Sequence, residues 1–179
     1  MKPVSFTLCV LIAAHAGAQV HHVELDNGWR FQQAGSKLWF TAEVPGTLHT
    51  DLLRNQLIPD PYLDANVDSV QWIENASWVY ACSITADSTL LSREHVQLVF
   101  KGLDTFTTIE LNGTPLGSTN NMFRIWVFDV KGLLHAGKNE LSVTFLSPVE
   151  EGMKARAAYG AEMPHDNDPT GVSPFVRKA

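Results

Sequence analysis

Asn112-Gly113 lies between two stretches that alternate apolar and polar residues, and it restricts the fold more tightly than any other dipeptide in the chain. A two-residue type I′ turn needs positive φ at both central positions, which Gly reaches freely and Asn more easily than most residues. Before the turn, Thr107, Ile109 and Leu111 alternate with Thr108 and Glu110, the pattern of a half-buried strand. After it, Leu116-Gly117 closes a short return strand. The chain is therefore expected to contain an antiparallel hairpin at its centre.

The flanking sequence extends the pattern. Gly28 to Gln32 alternates as a first strand, and Leu38 to Val44 reads as a second with Trp39 inward. Trp78, Tyr80, Cys82 and Ile84 share one parity, as do Val96, Leu98 and Phe100, and later Leu141, Val143 and Phe145. Met122 to Val130 is apolar on both parities, which predicts a strand covered on both faces. Short strands separated by turn signals at intervals of roughly 8–12 residues indicate an all-β jelly-roll sandwich. Two short helices interrupt it. Thr47 can cap one that carries Leu48, Leu52 and Leu53 and stops at Asn55. Ser147-Pro148-Val149-Glu150 is a capping box for the other, which Gly160 ends. Pro59 to Asn75 reads as a long irregular loop.

The first residues read differently. Lys2 precedes an apolar run from Val4 to Ala14, short of the roughly 20 residues a membrane span needs, and Ala16-Gly17-Ala18 supplies the small residues of a cleavage site. The expected organisation is a signal peptide over residues 1–18 and a sandwich domain over 19–179; the competing reading of the apolar run is a buried strand or helix. This predicts an extracytoplasmic protein, periplasmic or secreted if bacterial and lysosomal if animal. A net charge of −6 without a basic cluster argues against nucleic acid, and no further apolar run suits a membrane. Cys9 would leave with the signal, so Cys82 has no partner for an internal disulfide and reads as a small core residue.

Catalytic patterns are missing. The chain has no Gly-rich phosphate loop, no Gly-x-Ser-x-Gly and no metal-spaced Cys or His cluster, and its seven histidines are scattered. Glu150 and Glu151 are adjacent on a helix and face apart, unlike the two carboxyls that glycoside hydrolysis sets across a sugar ring. Asp166-Asn167-Asp168 begins a run resembling a calcium loop but lacks its bidentate Glu, so a solvated loop is the expectation and no metal or cofactor is called for. Among the tryptophans, Trp72 lies in a polar loop and is the exposed aromatic best suited to stack on a sugar. Trp72, Asp166, Asn167 and Asp168 are thus the candidate substrate-binding residues. Asn75-Ala76-Ser77 and Asn112-Gly113-Thr114 match the glycosylation sequon; Asn112 is better explained by its turn, and Asn75 would be modified only in a eukaryote.

Several longer stretches carry a family resemblance. They include Val44-Pro45-Gly46-Thr47-Leu48-His49, Ile58-Pro59-Asp60-Pro61-Tyr62, Trp72-Ile73-Glu74-Asn75, Phe100-Lys101-Gly102-Leu103-Asp104-Thr105, Asn121-Met122-Phe123-Arg124 and Phe175-Val176-Arg177-Lys178-Ala179. With these, the chain resembles the N-terminal galactose-binding-like domain of the β-mannosidases of glycoside hydrolase family two. The resemblance implies a retaining exo-enzyme that removes terminal β-linked mannose, with two catalytic glutamates on a (β/α)₈ barrel. Such a barrel needs about 250 residues of its own, so this chain is expected to hold no catalytic residue and to support a barrel supplied elsewhere. The family continues past the segment matching Phe175–Ala179 into a Trp-Asp-Trp-Gly-Pro stretch and a last strand. The resemblance thus implies a fragment whose sandwich lacks that strand, and a domain of low stability alone. Animal lysosomal relatives carry cysteines where Glu162–Ser173 has none, which points to a bacterial source. The alternative function is a stand-alone carbohydrate-binding module.

Overall fold

A computed structural model describes residues 20–161 of the chain. The signal-peptide expectation and Asp166-Asn167-Asp168 lie outside the described residues. Among the described residues, eight strands form two antiparallel sheets, β1 (Arg30–Gln33), β2 (Phe40–Thr41), β3 (Trp78–Ala86), β4 (Gln97–Phe100), β5 (Phe106–Leu111), β6 (Thr114–Asn120), β7 (Trp126–Asp129) and β8 (Gly137–Phe145). The large sheet has the order β2-β1-β3-β8-β5-β6, and β4 pairs with β7 alone. Four α-helices accompany them, α1 (Leu48–Arg54), α2 (Asn66–Ser69), α3 (Ser88–Leu91) and α4 (Pro148–Tyr159), with a 3₁₀ turn over Gln71–Asn75. This is the expected all-β jelly-roll sandwich, with more helix than the sequence suggested.

Strand register explains the core. One inward row crosses the large sheet through Phe40, Phe31, Tyr80, Val143, Ile109 and Gly117, each opposite the next. A second row carries Cys82, Leu141 and Leu111. Phe31 is fully buried and lies 5.6 Å from the Tyr80 ring and 5.8 Å from Phe40, centroid to centroid. At the far end of the first row, the glycine makes room for the small sheet. A Cβ on Gly117 would stand 2.7 Å from Cε1 of Phe128, whose ring packs edge-on against Phe100. The two sheets meet at that absent side chain.

The central hairpin is the type I′ turn expected, with φ of 54° at Asn112 and 73° at Gly113. Its asparagine does more than turn the chain. Nδ2 donates to the carbonyl of Leu133 and to Oδ1 of Asn139, while Oδ1 accepts from the amide of Glu140. Asn139 is buried and in turn donates to the carbonyls of His135 and Gly137 and accepts from the His135 amide. Every polar atom of this buried side chain is thereby satisfied, as burial requires. Two asparagines so fasten the β5–β6 turn to the loop entering β8. Deeper in the hairpin, the buried hydroxyls of Thr107 and Thr119 lie 2.8 Å apart and fix the register of β5 against β6.

Helix α1 forms where its Thr47 cap and its leucines predicted, and Asn55 ends it. Asp51 stands three residues after Leu48, on the face that turns inward, and is 0 % exposed. Its Oδ1 accepts from the Glu43 amide at 3.0 Å and the Arg54 guanidinium at 2.9 Å, and its Oδ2 from the Tyr80 hydroxyl at 2.9 Å. Arg54 also pairs with Glu43. Helix α4 is held comparably: the Ser147 hydroxyl accepts the Glu150 amide and donates to the Glu74 carbonyl.

Four sequence expectations need correction. The Ser147 capping box is half formed, because its backbone amide donates to the Ser77 hydroxyl. Strand β2 spans two residues only, and Trp39 is 39 % exposed, its ring covered by the Arg30 guanidinium at 4.7 Å. Strand β7 begins at Trp126, and Ile125, Val127 and its cross-strand neighbour Val99 face outward, so the strand is not covered on both sides. The stretch from Pro59 to Asn75 is no irregular loop: α2 and the 3₁₀ turn occupy its second half.

Two outcomes test this packing. Gly117→Ala should lower stability by about 1–3 kcal/mol in urea unfolding, with Phe128→Leu in the same chain recovering part of the loss. Burial, followed by the Asp51 charge and hydrogen bond, pushes the Tyr80 phenol well above its ordinary value near 10. The folded state then keeps a proton that the unfolded chain releases. Stability from this group is complete below about pH 10 and falls by up to about 1.4 kcal/mol per pH unit above it. Tyr80→Phe should remove that component of the alkaline slope, while costing about 1–3 kcal/mol at neutral pH by leaving Oδ2 of Asp51 short of a donor. Urea titrations of both proteins from pH 7 to about pH 11.5 measure both effects.

Candidate functional site

Register divides the sandwich into two ends. Trp78, Phe145, Thr107 and Thr119 stand opposite one another across four strands, so the connections entering β3 and β5 and those leaving β6 and β8 share one end. The Asn112-Gly113 turn and the loops after β3 and before β8 share the other.

Trp72 belongs to the first end. The 3₁₀ turn that bears it is anchored by buried Val70 and Ile73 and joined through Glu74 to the cap of α4. Its ring is 43 % exposed and rests on Trp78, with centroids 5.9 Å apart and planes at 44°. Trp78 is itself buried and donates from its indole nitrogen to the Ile73 carbonyl. Trp72 is thus the exposed aromatic the sequence suggested, but with one face spent on packing. Asp166, Asn167 and Asp168 cannot be placed beside it, since they are outside the described residues.

Two other connections present aromatics that sequence reasoning did not mark as site residues. The Tyr62 amide donates to Oδ1 of Asp60 at 2.9 Å, and the Phe123 amide donates to Oδ1 of Asn121 at the same distance. Each is an Asx turn that fixes the backbone and aims the following ring outward: Tyr62 is 95 % exposed and Phe123 86 %. The signal was legible as Asp-x-Tyr and Asn-x-Phe, an Asx residue two positions before an aromatic. Beside Phe123, the Arg124 guanidinium sits 4.8 Å above the Trp126 ring, whose indole nitrogen donates to the Asn121 carbonyl.

Among the described residues, no catalytic constellation is found elsewhere. Burial pushes the Cys82 thiol up to about 11, with Arg30 opposing and Glu140 adding to the shift, so the thiolate is scarce at neutral pH. Glu151 pairs with Lys154 rather than facing a second acid. Among the described residues, no three His, Cys, Asp or Glu side chains gather as metal ligands. A shallow hollow lined by Met153, Arg156, Ala157, Gly160 and Ala161 offers one charged group and no convergent set. Asn75 is exposed, its amide 3.4 Å from the Gln71 carbonyl, whereas both hydrogens of the Asn112 amide are engaged.

The arrangement has known counterparts. Residues 29–179 match the family described as glycosyl hydrolase 2 galactose-binding domain-like. The chain is 34% identical over 144 residues to a β-mannosidase of Capra hircus, covering 78% of this chain and 16% of that protein. It is 37% identical over 135 residues to β-mannosidase B of Thermothelomyces thermophilus, covering 74% and 16% respectively. The crystal structure of a β-D-mannosidase from Dictyoglomus thermophilum superposes with a TM-score of 0.79 at 38% identity, over 82% of this chain and 18% of that one. The chain therefore spans about a sixth of the length of these relatives. On the extent of these matches, the chain belongs to the glycosyl hydrolase 2 galactose-binding domain-like family.

Proposed function

We infer that this domain serves a β-mannosidase, supporting a catalytic barrel that hydrolyses terminal non-reducing β-D-mannose residues and shaping one wall of its pocket. The observation that carries this reading is the likeness, over most of the chain, to a crystallised β-D-mannosidase at 38% identity. The match falls on the N-terminal domain of such proteins, so the acid/base and nucleophile carboxyls belong to the barrel. Carbohydrate is the substrate class that the family supports, and β-mannoside is the finer reading taken from the named relatives. The proposed location is extracytoplasmic, reached through the signal peptide read from residues 1–18.

A second reading, a carbohydrate-binding module acting without a barrel, draws on the exposed ring of Trp72 backed by Trp78. Asp166, Asn167 and Asp168 would be its polar contacts.

The test is a chimera in which this chain replaces the matched part of the Dictyoglomus thermophilum enzyme. The chimera should hydrolyse an aryl β-mannoside, and the 179-residue chain alone should not. Turnover by the chain alone, or a folded chimera without turnover, would overturn the reading. Mannoside binding by the isolated chain that Trp72→Ala abolishes would favour the module.

A further inference from the structure

The outer face of the large sheet is stepped. Register sets Arg30, Ala81, Ser142 and Glu110 in one row across four strands, each opposite the next. Each stands one residue from the inward row of Phe31, Tyr80, Val143 and Ile109, so the row faces away from the core. Ser83 opposes Glu140 on one side of it, and Thr144 opposes Thr108 on the other. The floor over β3, β8 and β5 is thus built largely from short, hydroxyl-bearing side chains. From β1 to β5 it runs across three strand spacings, roughly 14 Å.

Taller side chains stand at the margin formed by β1 and the residue before β2. The Arg30 guanidinium lies 4.7 Å from the centre of the Trp39 ring, and its Nη2 is 2.6 Å from Oε2 of Glu140, so the three make one contiguous cluster. All three remain open to solvent: Trp39 is 39 % exposed, and the Arg30 and Glu140 side chains are 38 % and 57 % exposed. An ion pair exposed to this degree adds little to stability. The chemistry of the cluster narrows what it can hold. Guanidinium and carboxylate neutralise each other and Glu110 adds a second negative group, so neither an anion nor a cation meets a field of one sign. The floor beside Trp39 is short or charged, so a protein partner would lack the aliphatic and aromatic centre of an interface. A neutral ligand with one apolar face and many hydroxyls fits both conditions. The C–H face of a pyranose can lie on an indole, while neighbouring hydroxyls donate to a carboxylate and accept from the fork of a guanidinium.

We propose that the Trp39–Arg30–Glu140 cluster binds a neutral oligosaccharide, with one pyranose on the Trp39 ring and the chain running over the hydroxyl-lined strands toward Ser142 and Thr108. Arg30 lies over one face of the indole, and the sugar takes the rest. The cluster is held in place before any ligand arrives: Arg30 is paired through the backbone on both sides, with Thr41 and with Ala81, and its guanidinium is fixed between a ring and a carboxylate. A group positioned in this way loses little further freedom on binding. The inference draws on the carbohydrate class that the family supports, and it does not depend on the barrel reading. Trp72, on the connection entering β3, is not part of this face.

Fluorine NMR of the 179-residue chain, labelled with 5-fluorotryptophan, tests the proposal. The five tryptophans give separate resonances in the folded chain, assigned by replacing each in turn with Phe. Titration with β-1,4-linked mannohexaose or cellohexaose should shift the Trp39 resonance saturably and leave that of Trp72 in place. By calorimetry, Trp39→Ala should weaken binding at least about tenfold, as for the loss of an aromatic anchor. Arg30→Lys should weaken it severalfold, because an ammonium cannot fork across two hydroxyls. A shift confined to Trp72 would overturn the proposal in favour of the module at that residue, and a Trp39 resonance unmoved by both sugars would overturn it outright. A second measurement uses the chimera, run through a native gel that contains soluble glucomannan. The chimera should be retarded and its Trp39→Ala variant much less so. Equal retardation of the two, or none in either, would overturn the proposal whether or not the chimera turns over mannoside.

Discussion

A single carboxylate at 0 % exposure ties together parts of this domain that are far apart in sequence. Asp51 accepts from the amide that follows β2, from a guanidinium on its own helix and from the Tyr80 phenol on β3. Burying a charge is costly unless donors replace the lost water. Three donors here come from three elements, so the carboxylate is satisfied only when α1, the end of β2 and β3 are all in place. The connection from α1 to β3, with Tyr62 and Trp72 upon it, starts from this anchor.

The other end of the sandwich uses a neutral version of the same device. Asn112 joins the β5–β6 turn to Leu133, Asn139 and Glu140 through long-range hydrogen bonds, and Asn139 closes its own loop onto His135. Between the two ends, packing takes over. The aromatic row begins at Phe40 and ends at a glycine, and the loss of a side chain at Gly117 lets Phe128 and the small sheet approach. A large sheet with polar knots at its two ends and an apolar row between them leaves its loops free to vary in what they present.

Local signals in the sequence were sufficient for the elements that local chemistry determines. Asn112-Gly113, Thr47 before Leu48, and Ser147-Pro148 each satisfy or forbid particular backbone bonds within a few residues, and each is where it was expected. What depended on distant neighbours was misread. Trp39 alternates like a core residue, yet its strand ends after two residues and a cation covers its ring. Ile125 and Val127 look doubly buried in a sequence window, but the small sheet offers only one face to the core. Asp51 would pass for a solvated helix residue unless its spacing from Leu48 and Leu52 is taken literally. The exposure of Trp72 was legible because its stretch of sequence is polar. The exposure of Tyr62 and Phe123 was missed because hydrophobicity alone predicts burial, whereas each follows an Asx turn on a surface connection.

The hydrogen bonds of Asn112 also bear on how the protein ages. An asparagine followed by glycine is prone to deamidate, because the glycine nitrogen can attack the side-chain carbonyl with little steric hindrance. Here the amide nitrogen is held by two acceptors and the oxygen by a backbone donor, so the side chain must leave all three before it can react. Once converted to aspartate, the residue would set negative oxygen against the Leu133 carbonyl and Oδ1 of Asn139, and the knot could not reform. Chemical damage at this position is thus coupled to opening of the hairpin. Peptide mass mapping would then find deamidated Asn112 accumulating under conditions that loosen the fold, and little of it where the fold is intact.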